Sequence, residues 1–433
     1  MAILTQTWSR LDEKQRAKLL QRPAVVDDVG IRTGTAAIIE EVRRDGDAAL
    51  RRLTLEYDRA EIDELRVSDE ELKQAEKTLS GEQVDAIDLA INNVRMFHHA
   101  QMNTDIRVET MQGVVCERVS HPIDAVGLYV PAGTAPLPSA AIMLAVPADI
   151  VGCPVRILCT PPRPDGDADP AVLVAASRAG VREIYKVGGA QAVAAMAYGT
   201  ETVPKVAKIF GPGNSWVTCA KTLVSTDPAG AAIDMPAGPS EVLVIADHSA
   251  SAEFVASDLL AQAEHGVDSQ VILVTTSSDL GTQVADQIEN QLQQLSRADI
   301  ARGALDNSRI IVVDDILTAI NVSNRYAPEH LILQIDEPRD RLAEIRNAGS
   351  IFVGPWTPES VGDYCSGTNH VLPTYGFART YSGLGVDQFM RQMTVQELTR
   401  EGLENLGAAV VSLAGLEGLD AHAAAVTRRL RSP

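Results

Sequence analysis

Two adjacent residues, Glu329 and His330, have the side chains needed for proton transfer. They follow Pro328, which is expected to end the preceding helix because proline disrupts a helix interior. The pair therefore lies at a predicted helix-to-strand turn, where a loop can present side chains to a cleft. A carboxylate beside an imidazole suits general acid/base catalysis. A solvated glutamate next to a histidine that begins a strand is the structural alternative.

Gln262 and His265 have the spacing of metal ligands on a helix. Residues three apart share a helix face, and this pair lies near the predicted C-terminal end of its helix. A histidine at that end also interacts favourably with the helix dipole without any metal. Asp363, in a predicted short helix before a polar loop, is either an oxygen ligand or an ordinary cap. His370 lies in that loop, close to Asp363.

Two glycine-containing turns, at 188–189 and 211–213, each follow a predicted strand and begin a predicted helix. Backbone N–H groups in such turns can point at an anion. The dinucleotide fingerprint GxGxxG is missing from the chain. Each turn alone is equally typical of a purely structural connection, whereas two turns in one α/β domain favour a ligand that carries phosphate.

The remaining polar candidates have weaker support. His98 and His99 close a charged helical stretch without a carboxylate constellation nearby, and we expect them to be solvated. Glu417 and His422 lie in a predicted helical tail, where a surface position is the default expectation. His121 and His248 flank predicted strands and are also expected to be structural.

Short apolar runs of strand length alternate with helical segments from about residue 125 onward. A first set lies at 127–130, 155–160, 181–187 and 206–210, and a second set at 240–246, 270–276, 309–315, 330–335 and 350–354. Helices are predicted between the second set at about 250–264, 279–295, 315–326 and 338–348. Alternating strands and helices are typical of βαβ units with a parallel sheet. The sequence therefore predicts an α/β protein with two similar, incomplete Rossmann-like parallel-sheet domains.

The flanking regions have a helical pattern. Capping boxes at 68–71 and 394–397 predict the start of two helices. We expect four parts in the chain: a mainly helical N-terminal region at 1–120, Rossmann-like domains at 121–237 and 238–383, and a helical tail at 384–433. A tail of that size is typical of an appendage rather than a domain.

The composition excludes some classes of function. The chain has 433 residues and a formal net charge of −20, which disfavours nucleic acid and anionic membrane surfaces as partners. No apolar stretch approaches the length that spans a bilayer, and the N-terminus lacks a secretory pattern. Five widely spaced cysteines without a CxxC pair argue against a disulfide framework. We therefore expect a reduced, cytoplasmic protein.

Eight blocks, spread over nearly the whole chain, resemble the successive signatures of histidinol dehydrogenases. In order they are GLYVPAGTAPLPS, GPGN, DMPAGPSEVLV, LLAQAEH, YAPEHL, GDYCSGTNHVLPT, SGLGVDQF and the tail ELTREGL…LEGLDAH. Eight blocks in one order are far more specific than any single motif. Two positions depart from the commonest pattern, with Ala132 in place of a glycine and Trp216 in place of a smaller aromatic residue. Neither is a ligand position, so we expect at most an altered NAD pocket.

The resemblance implies an NAD-dependent, zinc-dependent oxidation of L-histidinol to L-histidine through the aldehyde, using two NAD molecules. It implies an NAD side in the first Rossmann-like domain, and the zinc and catalytic residues in the second. The residues it assigns are Glu329 and His330 for catalysis; Tyr129, Gln191 and Asn214 for NAD; Gln262, His265, Asp363 and His422 for one zinc per subunit; and Ser240, Gln262, His265, His330, Asp363, Glu417 and His422 for substrate.

The resemblance also implies an intertwined homodimer, in which the tail of one subunit donates Glu417 and His422 to the other subunit's site. A tail with an amphipathic stretch such as LENLGAAVVSLAGL cannot bury its apolar face alone, and a second copy could cover it. Two alternatives remain open at this stage. A zinc hydrolase would also use a Glu–His pair, and a non-catalytic NAD-binding protein would keep only the glycine turns.

Overall fold

The computed structural model describes residues 3–23, 29–102, 105–132, 135–235 and 238–431. Two pairs within the signature blocks, 133–134 and 236–237, lie outside these residues, as does the predicted domain boundary after residue 237. The N-terminal part contains one strand, four helices and then two strands: β1 (Leu4–Thr7), α1 (Glu13–Leu19), α2 (Val29–Tyr57), α3 (Asp69–Thr78), α4 (Gly81–His99), β2 (Ile106–Met111) and β3 (Val114–Pro122).

The first α/β unit is a five-stranded parallel sheet with helices between the strands. Its elements are β4 (Ala125–Tyr129), α5 (Pro138–Ile150), β5 (Val155–Thr160), α6 (Pro170–Arg178), β6 (Glu183–Lys186), α7 (Gly189–Tyr198), β7 (Lys208–Phe210), α8 (Ser215–Thr226) and β8 (Ala232–Ile233). The strand order is β6-β5-β4-β7-β8, and the paired strands run parallel. The chain thus starts in the middle, builds one half of the sheet and then crosses to the other half, as in a Rossmann fold.

The second unit repeats this order in a six-stranded parallel sheet. Its elements are β9 (Glu241–Ala246), α9 (Ala252–Ala263), β10 (Gln270–Thr275), α10 (Ser278–Leu292), α11 (Ala298–Asp306), β11 (Arg309–Val312), α12 (Ile316–Tyr326), β12 (His330–Gln334), β13 (Ser350–Val353) and α13 (Glu359–Tyr364). The strand order is β1-β11-β10-β9-β12-β13. The predicted α/β fold with two similar Rossmann-like sheets is therefore confirmed, with the N-terminal strand β1 added at one edge.

Hydrophobic cores lie on both faces of each parallel sheet, which explains why these strands are continuous apolar runs in the sequence. Alternate residues of one strand enter different cores. Val242 and Val244 of β9 pack on one side, whereas Leu243 and Ile245 pack on the other. No helix among the described residues is long and apolar enough to cross a membrane.

The C-terminal part consists of β14 (Met390–Leu398), α14 (Arg400–Leu416) and α15 (Asp420–Arg431). Strand β14 pairs antiparallel with β3, which also pairs with β2, in a three-stranded sheet. The capping box predicted at 394–397 is wrong because these residues lie inside β14. Helix α14 begins later, where the side chain of Thr399 accepts a hydrogen bond from the N–H of Gly402 (3.1 Å).

Other local predictions have mixed outcomes. The capping box at Ser68 is present, and the side chain of Asp169 caps α6 just before Pro170. The helical pattern assigned to the chain's beginning is wrong for β1, which is an edge strand. The helix predicted at 338–348 is only a 3-10 helix, Pro338–Glu344, while α11 was not anticipated.

Candidate active site

His330 is the first residue of β12 and is almost completely buried. Its Nδ1 bonds the backbone carbonyl of Glu241 (3.1 Å), so this nitrogen carries the proton. Its Nε2 is buried without a hydrogen-bond partner, and the Oδ1 atom of Asp363 lies 3.8 Å away. Burial lowers the pKa of His330 to about 4, so the ring is neutral at neutral pH. The geometry leaves one basic nitrogen available to accept a proton.

Glu329 lies in the turn between α12 and β12 and is also buried. Helix α12 ends at Tyr326, and Ala327 adopts a left-handed conformation (φ 56°) before Pro328, as the proline predicted. The Oε2 atom of Glu329 accepts a hydrogen bond from the backbone N–H of Glu241 (2.8 Å). Burial and the neighbouring carboxylates of Glu241 and Asp363 raise the pKa of Glu329 well above its usual value.

A third carboxylate, Glu359, completes a compact group with His330 and Asp363. One potential ligand atom from each lies within 4.8 Å of the others, and this is the described group that could hold a metal ion. With its amide nitrogen turned toward Glu359, the buried Gln262 donates to that carboxylate, and its oxygen accepts from the N–H of Glu241 (3.0 Å). Burial and the adjacent acids raise the pKa of Glu359 well above its usual value.

Sequence reasoning missed Glu359, although a signal was present. Glu359 and Asp363 are four residues apart in α13, a spacing that places both carboxylates on one helix face. The sequence could have suggested a ligand pair on this basis. It could not show that Gln262 lies opposite, because that contact joins α9 and α13, which are distant in the sequence.

The predicted ligand His265 lies just beyond α9 rather than on its face. The helix ends at Ala263, and His265 occupies the following turn with its side chain exposed. It is close enough to contribute to the lowered pKa values of His330 and His370. His370 contacts Asp363 as the sequence suggested, since its Nδ1 bonds the Asp363 carbonyl (2.9 Å).

The donors in this group fit a cation. Two carboxyl groups, one amide and an unpartnered imidazole nitrogen meet where water is largely excluded. Uncompensated negative charge is costly in such an environment, and a bound cation would offset it. Imidazole and carboxylate are groups that zinc accepts as ligands, whereas the oxygen of Gln262 in this orientation is bonded to the N–H of Glu241.

The residues assigned to NAD lie at the other α/β unit. Tyr129 ends β4, and its buried hydroxyl accepts a hydrogen bond from the N–H of Gly189 (3.0 Å) at the start of α7. The N–H of Gly189 is therefore bonded within the protein, whereas the sequence suggested that N–H groups of this turn could point at an anion. Gln191 is buried in the first turn of α7, with its side chain close to Gly189.

Asn214 follows β7 and caps α8, because its side-chain oxygen accepts from the N–H groups of Trp216 and Val217 (3.1 Å each). The preceding Gly211 has a φ of 121° and packs against the Tyr129 carbonyl, so a Cβ there would overlap that oxygen. The residues thus build a close backbone surface next to a helix N-terminus. The N–H groups of Gly211, Trp216 and Val217 already bond side chains, so the feature here that favours an anion is the positive end of the α8 dipole.

The other assigned residues lie at the rim of the site or away from it. Ser240 immediately precedes β9 and is partly exposed. Glu417 and His422 are exposed on the C-terminal helices, and His422 is not part of the described group that could hold a metal. Helices α14 and α15 pack mainly against each other.

His98 is buried and bonds the Val94 carbonyl (2.8 Å), so the prediction that it is solvated is wrong.

Comparison with known proteins agrees with this geometry. The family described as "Histidinol dehydrogenase" matches residues 21–430. The histidinol dehydrogenase of Vibrio vulnificus (strain YJ016) is 55% identical over 426 residues, covering 98% of each chain. That of Xanthomonas campestris is 54% identical over 426 residues, covering 98% of this chain and 99% of the relative. The crystal structure of histidinol dehydrogenase from Elizabethkingia anophelis is 45% identical, covers 99% of this chain and 98% of that one, and has a TM-score of 0.95. The chain therefore belongs to the histidinol dehydrogenase family of NAD-dependent oxidoreductases.

Proposed function

We propose that this enzyme oxidises L-histidinol to L-histidine, through the aldehyde and with two NAD molecules, beside the amino ends of β9 and β12. The observation that carries the proposal is the unpartnered Nε2 of His330, in a ring whose Nδ1 lies 3.6 Å from the Oε2 atom of the buried Glu329. A hydrolase or a non-catalytic NAD-binding protein was compatible with the isolated motifs. Membership of this family does not favour either alternative.

His330 is the proposed base for the alcohol. Its Nδ1–H is held by the Glu241 carbonyl, so Nε2 is the nitrogen that takes the substrate's hydroxyl proton as hydride leaves for NAD. The low pKa keeps this nitrogen unprotonated at neutral pH. A positioned base of this kind contributes on the order of 10² to 10⁴ to the rate.

Glu329 is the proposed activator of water in the second step. Burial raises the pKa of this carboxyl, and a carboxylate with a raised pKa is a stronger proton acceptor than an exposed one. Removing a proton from water allows hydration of the aldehyde, and the hydrate can then lose a second hydride. The hydrogen bond from the Glu241 N–H keeps Oε2 in place during both steps.

Gln262, His265, Asp363 and His422 are the proposed ligands of one zinc ion per subunit. Zinc would act by coordinating the substrate's nitrogen atoms and orienting the substrate. Ser240 and Glu417 are proposed to contact the substrate beside these residues and His330. Tyr129, Gln191 and Asn214 are proposed to bind NAD, whose phosphates would meet the helix N-termini at the first sheet.

A homodimer is proposed because the C-terminal part exposes a broad apolar surface. Leu413 and Leu416 of α14 are 62% and 83% exposed, and Met393 and Val395 of β14 are 40% and 42% exposed. An exposed apolar surface of this kind is typical of a protein–protein interface, and in a symmetric dimer each copy would cover the surface of the other. In that dimer, His422 and Glu417 of a second copy would complete each site. All five cysteines are free, which supports a cytoplasmic location.

A spectrophotometric assay of NADH formation tests the proposed reaction. With L-histidinol limiting, the enzyme should produce two NADH molecules for each substrate molecule. A chelator should abolish this activity and added zinc should restore it. One NADH per substrate would remove the second oxidation, and no NADH with fully zinc-loaded enzyme would overturn the proposal.

A further inference from the structure

Glu241 connects the two proposed catalytic residues through its backbone. Its N–H donates to the Oε2 atom of Glu329 (2.8 Å), and its carbonyl accepts from Nδ1 of His330 (3.1 Å). The position of this one residue at the start of β9 therefore determines where both side chains stand. It also determines which nitrogen of His330 carries the proton.

The buried side chain of Glu241 is itself held by Arg22. The guanidinium forms a two-bonded fork with the carboxylate, with Nε 2.5 Å from Oε1 and a terminal nitrogen 2.8 Å from Oε2. The side chains of Arg22 and Glu241 are only 13% and 4% exposed. The backbone N–H of Tyr375 also donates to Oε1 (2.7 Å). Charge-assisted bonds of this geometry fix both distance and orientation.

The same guanidinium holds the turn that carries the catalytic pair. Arg22 donates to the carbonyls of Tyr326 (2.9 Å) and Ala327 (3.3 Å), where α12 ends. Its guanidinium carbon lies 3.8 Å from the centre of the Tyr326 ring. Pro328, Glu329 and His330 follow directly. One planar group therefore joins the start of β9 to the turn entering β12.

We propose that Arg22 is a positioning residue for this reaction. Through Glu241 and the Tyr326–Ala327 turn, it holds Glu329 and His330 in their working geometry and keeps the Nε2 atom of His330 as the proton acceptor. The inference rests on the proposed roles of Glu329 and His330. A lysine cannot replace the arginine, because a single ammonium group cannot form the fork and stack on the ring together.

A double-mutant cycle with His330 tests the inference. Arg22→Gln should lower kcat by about 10- to 100-fold, as loss of a partner that orients an active-site group typically does, with little change in the KM for histidinol. In a His330→Ala background the same substitution should lower kcat less, because the part of its effect that acts through His330 is already lost and only the part through Glu329 remains. Arg22→Lys should resemble Arg22→Gln, and it replaces that variant in the cycle if Arg22→Gln does not fold.

Arg178→Lys is the matched control. Arg178 forms a similar fork with Asp88, far along the chain from the catalytic pair, so this variant should retain wild-type kcat. Equal loss of kcat from the Arg22 substitution in both backgrounds would overturn the positioning role, as would wild-type kcat in Arg22→Lys. Wild-type activity in His330→Ala alone would instead overturn the proposed role of His330, so the two failures are distinguishable.

Discussion

The two parallel sheets have the same strand order, but their candidate sites lie at opposite ends of the strands. In the first unit, Tyr129 ends β4 and the Gly211 turn follows β7, so the residues assigned to NAD lie at the carboxyl ends of the strands. In the second unit, Glu241 and His330 begin β9 and β12. Each site thus lies at two neighbouring central strands that are equivalent in the two sheets, β4 and β7 in the first and β9 and β12 in the second. The first site lies at the carboxyl ends of its strands and the second at the amino ends.

The direction of the helices gives this difference a physical meaning. In a βα unit a helix begins near the carboxyl end of one strand and returns to the amino end of the next. The first site therefore has the N-termini of α7 and α8, whose partial positive charge favours an anion. The second site has the C-terminal ends of α9 and α12, whose partial negative charge favours a cation. One topology can thus favour an anion at the carboxyl ends of its strands and a cation at their amino ends.

The largest expected effects come from the proposed catalytic pair, Glu329 and His330, at the amino ends of the strands of the second sheet. His330→Ala should slow histidinol oxidation by on the order of 10² to 10⁴, because the alcohol loses its proton acceptor. Glu329→Gln should impair oxidation of supplied histidinaldehyde at least as strongly as oxidation of the alcohol. Steady-state rates with each substrate measure both effects. A variant that oxidises both substrates normally would exclude its residue from the mechanism.

A second effect concerns completion of this site by another subunit. His422→Ala and His330→Ala chains should each be inactive alone. Random subunit exchange should restore about a quarter of wild-type activity, since half of the dimers are mixed and each mixed dimer has one intact site. The measurement is activity before and after exchange, with dimer mixing verified independently. Absence of recovery after verified mixing would mean that His422 acts within its own chain or not at all.

A smaller effect is expected beside the first site. Asp58, at the end of α2, has a buried Oδ2 without a hydrogen-bond partner, and burial raises its pKa to about 6. Its charge also contributes to the raised pKa of Tyr129. A carboxyl whose pKa is higher in the folded protein than in the unfolded chain stabilises the fold below the unfolded value of about 4. That contribution is lost as the pH rises through about 6.

Asp58→Asn should therefore stabilise the protein relative to wild type more at pH 8 than at pH 5, by roughly 1 kcal/mol because solvent still reaches part of the carboxyl. Denaturant unfolding at the two pH values provides the measurement. The exposed Asp63 supplies a control, and Asp63→Asn should show no such difference. An equal effect of Asp58→Asn at both pH values would show that its carboxyl does not titrate in this range.

Much of the fold could be predicted from the sequence because both sheets are buried on two faces. Apolar runs such as those of β9 and β10 are visible without any tertiary information. The errors occur where distant segments meet. His98 is buried beside Asn369, and β14 pairs with β3, contacts that local patterns do not encode.

The site was predictable to the extent that its residues lie in recognisable motifs. Pro328 correctly indicated the turn that carries Glu329 and His330. The role of Glu241 could not be inferred, because its contribution comes from backbone groups that every residue has. Glu359 also escaped notice, since its contact with Gln262 depends on how α13 packs on α9.

The account places NAD at the carboxyl ends of the strands in the first sheet and zinc at the amino ends of the strands in the second. This assignment is tested most directly by measuring zinc content and NADH binding in the same two variants. Asp363→Asn should weaken zinc retention while leaving the dissociation constant for NADH unchanged. Asn214→Ser, which keeps a side chain able to cap α8, should weaken NADH binding while leaving zinc content unchanged. Metal analysis and NADH fluorescence titration give the two quantities. Loss of NADH binding in the folded Asp363→Asn variant, or loss of zinc in the folded Asn214→Ser variant, would contradict the assignment of the two ligands to separate sites.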